Sequence, residues 1–287
     1  MNYYRALALW QGRMDKLLIS VLTLVSGREK AFRNFVEGLK QSTTPPHEVI
    51  VVFMNQEPCA IEVLPFQVKT IRLNHTGTLP LASARNRAAK EASGDLLIFL
   101  DVDCIADANL IANYASAKQS ESLLVGQVRY LQNNADEHPQ FLKQLIALSR
   151  PDPIRAGVNP LPYELFWSLN FACSKSIFNS IGGFDEDFIG YGGEDTDFAF
   201  KARAVQIPLK TIDALAFHQH HPSYSPPLNH FRDIISNAEC FYQKWKIWPM
   251  EGWINKFEEM GLVIRKPDKI EVLRLPKPLQ IEQAVKD

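Results

Sequence analysis

For its length the chain is short of cysteine, with four in 287 residues at Cys59, Cys104, Cys173 and Cys240. No two of them form a C-x-x-C pair or a Cys/His zinc spacing, so a disulfide framework and a finger-type metal site are both excluded. They read as reduced, mostly buried thiols. An excess of either charge is missing too. With 31 Lys and Arg against 32 Asp and Glu, the net charge is −1, which argues against nucleic acid or an anionic surface recognised through bulk charge. Long apolar runs are absent. The longest near the N-terminus, LLISVLTLV at 17–25, is half a membrane span and contains Ser20 and Thr23. No small-residue cleavage site follows it, so a buried strand is expected rather than a signal peptide. These absences favour a cytoplasmic protein without a transmembrane segment, with peripheral attachment to the inner membrane face left open. There is no internal repeat and no low-complexity segment.

What is present is a 46% hydrophobic chain whose apolar runs alternate between two periods. LLISVLTLV ends at Ser26-Gly27, EKAFRNFVEGLKQS (29–42) has helical spacing, and HEVIVVFMN (47–55) and VKTIRLN (68–74) read as further strands. LASARNRAAKEASGD (81–95) predicts a helix closed by Gly94, followed by LLIFLDVD (96–103) as a fourth strand. Strands alternating with helices predict an α/β fold with a mostly parallel, Rossmann-like central sheet flanked by helices. SLLVGQVRYL (122–131) and KTIDALAFH (210–218) are later strands. LNHFRDIISNAECFYQKW has amphipathic helical spacing and starts a C-terminal helical extension. The expected division is one domain over 1–222, with halves at about 16–131 and 132–222, and an extension over 223–287.

Two acidic motifs carry the chemistry. Asp101-Val102-Asp103 ends the fourth strand, where period-two geometry places both carboxylates on one side. Two close carboxylates repel unless a cation sits by them, and a hard divalent ion suits such a pair. A calcium loop is excluded, because Ala106 and Ala112 stand where that loop needs Gly and Glu. GGEDTDFAFKAR, residues 192–203, puts two glycines before Glu194, Asp195 and Asp197 at a helix start. Acids in a first turn are favoured by the helix dipole alone, so this motif needs the first one beside it to signal a site.

Ala84-Arg85-Asn86, Ala88, Ala89, Ala92, Gly94-Asp95 and Phe99-Leu100-Asp101-Val102-Asp103 together resemble the central region of the GT-A glycosyltransferases, family 2 in particular. GGFDEDFIGYGGEDTD resembles the acceptor motif of β-1,4-galactosyltransferases, polypeptide N-acetylgalactosaminyltransferases and bacterial chondroitin polymerases, with Tyr191 in place of the usual Trp. The resemblance implies a GT-A fold and an inverting transfer from a nucleoside diphosphate sugar, a UDP-sugar above all, to a saccharide hydroxyl. Mn2+ or Mg2+ would be the cofactor.

By position, the resemblance makes Asp195 the catalytic base, with Glu194 holding the acceptor sugar beside Tyr191, Gly192, Gly193 and Trp167. Phe166 is a further acceptor-groove residue, although core packing suits both it and Trp167 better. Asp101, Asp103 and His218 would hold the metal; His220 is the next choice after His218, while His221 and Pro222 read as the start of a turn. Thr23, Val25, Arg28, Asn55, Arg85, Asn86 and Val102 would border the donor, and the glycines around Tyr191 would hinge a mobile loop. Residues 223–287 receive no role. Two rivals are a sugar nucleotidyltransferase, against which SGREKAF is a poor phosphate loop, and a catalytically inactive carbohydrate-binding relative.

Overall fold

A computed structural model describes residues 17–118 and 120–286. Strands β1 (Ile19–Val25) and β2 (Glu48–Met54) are buried at all seven positions each, as expected of strands covered on both faces. With β3 (Gln67–Leu73) and β4 (Leu96–Leu100) they form a parallel set in the order β3-β2-β1-β4. The sheet then continues through β8 (Asn170–Ser174), β6 (Leu123–Leu131), β9 (Leu209–His218) and β5 (Cys104–Ala106), with β7 (Ser149–Pro151) pairing on β6. β6 and β9 are parallel, whereas β8, β5 and β7 pair antiparallel with their neighbours. Among the described residues this makes nine strands in one sheet.

Helices cover both faces. α1 (Glu29–Lys40) buries Phe32, Phe35, Val36 and Leu39, one stripe at helical spacing. α2 (Leu81–Glu91) buries Ala82, Ala84, Ala88 and Ala89, whose small side chains let its backbone lie close to the sheet. α3 (Leu110–Ser116), α4 (Lys175–Ile181) and α5 (Glu194–Ala204) follow. α2 ends at Ala92 in an extended conformation, not at a left-handed Gly94. Gly94 is needed for another reason: a Cβ there would lie 2.5 Å from Ser20 Oγ and 2.9 Å from the Leu18 carbonyl.

The extension folds around its own core. α6 (Phe231–Trp245) and α7 (Glu251–Glu259) bury Phe231, Ile234, Ala238, Ile254 and Phe257 against Leu262, Val263 and Ile270. A hairpin of β11 (Val263–Arg265) with β12 (Ile270–Val272), helix α8 (Pro278–Gln283) and strand β13 (Val285–Lys286) on β10 (Ser223–Tyr224) complete it. No described helix is long and apolar enough to cross a membrane.

Candidate active site

In this sheet the chain runs outward through β2 and β3 and then returns to place β4 on the other side of β1. That reversal opens a crevice beyond the carboxyl ends of β1 and β4, where open α/β sheets bind ligands. A cleft of about 1080 Å³ lies there, lined by Ser26, Arg28, Asp101, Asp103, Asp195 and His218 among others.

The Asp-x-Asp motif is a turn, not a strand end. β4 stops at Leu100, and the Cys104 amide donates to the Asp101 carbonyl at 2.8 Å. The turn still leaves both acids lining the cleft but gives them different neighbours. Asp103 Oδ1 lies 3.5 Å from His218 Nε2, Asp103 Oδ2 lies 3.4 Å from His221 Nε2, and Arg28 is 3.9 Å away. Asp103, His218 and His221 offer ligand atoms within 4.8 Å of one another. Asp101 is outside that group and faces Arg85 at 3.7 Å. His221, read from the sequence as a turn residue, is therefore the one brought to Asp103, while His220 lines a separate surface hollow near Asn133 and Glu137. The selection is made by Gln219, whose amide donates to the Asp103 carbonyl at 2.6 Å. Its side chain accepts from Asn34 and donates to the Ala31 carbonyl, and with residue 219 turned inward its neighbours diverge.

Protonation states suit a divalent ion. Burial pushes the Asp103 carboxyl upward, but the two imidazoles and Arg28 outweigh it and hold the carboxylate below its ordinary range. Burial lowers the His218 pKa, which favours the neutral imidazole that binds metal. One carboxylate and two imidazoles make a donor set of mixed hardness, better matched to Mn2+ than to Ca2+ or Mg2+. The Tyr130 ring lies 5.1 Å from His218.

The three acids of the second motif point three ways. Glu194 is 6% exposed and its Oε1 accepts from Arg85 Nη1 at 3.0 Å. Arg85 is also 6% exposed, so it is a buried strut between the two motifs, and it lines the cleft. Asp197, fully buried, accepts from Trp245 Nε1 at 2.8 Å and pairs with Lys244 at 2.6 Å; it ties α5 to α6. Asp195 lines the cleft beside Glu194, without an ion-pair partner of its own among the described residues. Its carboxyl is pushed up to about 7, by burial first and by the Glu194 charge second, with Arg85 and the amides of Thr196 and Ser168 pulling the other way.

The loop before α5 is shaped by glycine at φ +80° (Gly190), +97° (Gly192) and +90° (Gly193). A Cβ at Gly190 would meet the Asp233 carboxyl at 2.4 Å, and one at Gly192 would meet Met250 Sδ at 2.8 Å. Asn237 of α6 donates to the carbonyls of Gly192 (2.8 Å) and Ile189 (3.1 Å). The glycines therefore serve left-handed backbone and close contact with the extension. Gly192 lines the cleft, and Gly193 lies behind it as the start of α5. Tyr191 stacks on His230 at 4.5 Å and on Trp253 at 5.8 Å, so a large aromatic group is rebuilt from residues distant in sequence. Trp167 lines the cleft under the Arg155 guanidinium, 4.3 Å from its ring.

Several expected donor contacts fall elsewhere. Thr23 and Val25 are buried in β1, and the cleft is lined by Leu24 and Ser26 instead. Side chains alternate along a strand, so an error of one residue exchanges the faces. Asn55 is exposed at φ +54° and its side chain accepts from the His75 amide. Asn86 clamps the turn at Phe184, donating to its carbonyl and accepting from its amide. Phe166 is fully buried among Phe171 and Phe198. Arg28 and Val102 do line the cleft.

Compared with known proteins, residues 39–245 match the family model described as glycosyltransferase-like family 2. The chain belongs to that family. Its match runs through α6, into the extension. Among curated relatives, validoxylamine A glucosyltransferase of Streptomyces hygroscopicus subsp. limoneus is 27% identical over 67% of this chain and 49% of its own length. Chondroitin synthase of Pasteurella multocida is 23% identical over 64% of this chain and 23% of its own. The chain thus spans about half or less of the length of these relatives. Two solved structures share the fold at low identity. GalNAc-T7 with UDP, GalNAc and Mn2+ has a TM-score of 0.55 at 15% identity, covering 86% of this chain and 57% of that one. S. aureus TarS 1-349 with UDP has 0.53 at 14%, covering 85% and 72%. This glycosyltransferase family domain is accordingly a GT-A-type α/β fold. The family match also weighs against a nucleotidyltransferase.

Two parts of the site escape sequence reading: His221, for which the only signal is its i+3 spacing from His218 at a strand end, and the wall made by the extension.

Proposed function

We propose that the chain transfers a glycosyl group from a nucleoside diphosphate sugar, a UDP-sugar in the first instance, to a hydroxyl of a saccharide acceptor with inversion. One observation carries this reading. A single cleft contains both the Asp103-His218-His221 group and, separately, Asp195, whose carboxyl is tuned up to about 7. A divalent cation held by Asp103, His218 and His221 would supply charge neutralisation for the diphosphate leaving group.

The chain's own residues do the rest. Arg28, beside Asp103, offers a second positive charge to the diphosphate. Asp195 accepts the proton of the attacking acceptor hydroxyl, and a pKa near the working pH is what a general base needs. Arg85 holds Glu194 in place, leaving that carboxylate beside the incoming sugar. With one base and no second carboxylate assigned as a nucleophile, a single displacement inverts the anomeric centre.

The name of the GalNAc-T7 structure and that of TarS both include UDP, which supports the donor class. The reading is tested by incubating the chain with a UDP-sugar panel, Mn2+ and saccharide acceptors, and following UDP release and the product's anomeric proton signal. An α-linked donor is expected to give a β-linked product, with release lost in EDTA. Formation of UTP and sugar-1-phosphate when pyrophosphate is supplied, with no UDP release, would point to the nucleotidyltransferase. A retained anomeric configuration would remove Asp195 from the role of base.

A further inference from the structure

The wall of the cleft nearest the base comes from residues 223–287. Leu228, His230, Phe231, Arg232 and Trp253 line it. Tyr191, four residues before Asp195, stacks on His230 and Trp253, so the three rings form one aromatic group. The group is close to the reacting end of the site, since Tyr191 lines the same cleft as Glu194 and Asp195, three and four residues further along the chain. It is also firmly set. Asn237 holds the Gly192 carbonyl, and Asp197 is anchored to Trp245 and Lys244. Arg232 is exposed on the first turn of α6 and has no acidic partner among the described residues, so its donors are free for a ligand. The cleft, at about 1080 Å³, slightly exceeds the range of roughly 300–1,000 Å³ for a single small-molecule site.

Resting on the reading of the site as a glycosyltransferase centre, we infer that the extension builds a distal acceptor subsite. It takes the second ring of an oligosaccharide acceptor of at least two sugars, packed on the Trp253-Tyr191-His230 wall and hydrogen-bonded by Arg232. A pyranose has an apolar C–H face that an aromatic ring covers while its hydroxyls stay free for polar partners, which is why an amphipathic aromatic wall suits it. The ring nearest Asp195 presents the attacking hydroxyl, and the distal ring fixes its position.

The test uses the full chain saturated with UDP and Mn2+. Its binding to galactose against lactose, glucose against cellobiose, and N-acetylglucosamine against chitobiose is measured by saturation-transfer NMR and titration. At least one disaccharide is expected to bind tenfold or more tightly than its monosaccharide. Trp253→Ala should erase that advantage without changing monosaccharide or UDP affinity. Because Trp253 also packs on the extension's core, Trp253→Tyr should restore the advantage. Arg232→Gln, at an exposed position, should reduce it several-fold with unchanged thermal stability. A panel in which no disaccharide gains over its monosaccharide overturns the inference, as does an advantage that survives both Trp253→Ala and Arg232→Gln. Loss of UDP·Mn2+ binding in the wild-type chain would instead overturn the underlying functional reading.

Discussion

Asp103 and Asp195 share one cleft but are carried by opposite kinds of structure. Asp103 follows a buried strand paired parallel with β1 and antiparallel with β8, and its histidines come from the end of β9, where His218 is in register with β5 and β6, and from just beyond it. The backbone ladder places His218, and the contacts of Gln219 with α1 turn His221 inward. Asp195 follows a loop of left-handed glycines that no ladder supports; side chains from α6, Asn237 and Lys244 with Trp245, hold it. The electrostatics diverge as well. Asp103 is held down by two imidazoles and an arginine, whereas Asp195 is pushed up by burial beside Glu194. Two carboxylates whose environments separate their protonation are a pattern of division of labour: one stays ionised to hold a cation, the other is poised to exchange a proton.

The largest effect that could break this comparison is Asp103→Ala. It removes the residue shared by both histidines, so UDP·Mn2+ binding measured by calorimetry and UDP-sugar turnover should both be lost. Asp195→Asn should separate the two sides, with turnover falling roughly 10²–10⁴-fold and UDP·Mn2+ affinity unchanged. Equal loss of donor binding in both variants would mean the acids act as one cluster.

The pH dependence sharpens the contrast. Asp195 must be ionised to accept a proton, and its carboxyl is raised to about 7. kcat should therefore fall about tenfold per unit below that pH, and the Asp195→Asn variant should lose this limb. The stability sign is opposite. A carboxyl whose folded pKa is raised binds more protons folded than unfolded, so its contribution declines as pH rises through the window between the ordinary Asp value and about 7. Thermal melts at pH 8 should accordingly show Asp195→Asn at least as stable as wild type. A clear loss of melting temperature would identify the acid as a helix-start residue and no more.

A smaller effect separates the adjacent histidines. His221→Ala should weaken Mn2+-dependent UDP binding by about 10–100-fold, on the scale seen when residues around a metal are removed, while His220→Ala should leave it within twofold. Which imidazole turns inward was not legible in HQHHP, because Gln219's contacts with α1 set it from nearly 190 residues away. The same limit explains other differences between sequence and structure. β1 and β2 are plain in the sequence, since parallel strands covered on both faces read as continuous apolar runs. That same uniformity hides which of Thr23 and Leu24 faces the cleft. Asp101-Val102-Asp103 was legible as a motif but not as a turn, because no glycine or proline marks it. GGED was legible as a candidate for the cleft, which Gly192, Glu194 and Asp195 do line, but the wall beside it was not: Trp253 and His230 reach Tyr191 across 62 and 39 residues, and no local period records such a pairing.

The smallest predicted effect addresses that long-range tie. Asn237 is 2% exposed, and its amide serves the carbonyls of Gly192 and Ile189. Asn237→Ala leaves them without their donor in a site where water has little access, costing about 1–3 kcal/mol. A chain of this size should then melt a few degrees lower. The loop carries Tyr191 and leads into Asp195, so acceptor KM should rise several-fold, with kcat reduced less. UDP·Mn2+ affinity should not change, because the strand ends that hold Asp103 and His218 do not touch Asn237. If donor affinity fell in step with melting temperature, the two sides of the cleft would be a single cooperative unit. If only the acceptor parameter moved, the extension would be the support of the base side alone, and residues 223–287 would be required for the site as much as the sheet is.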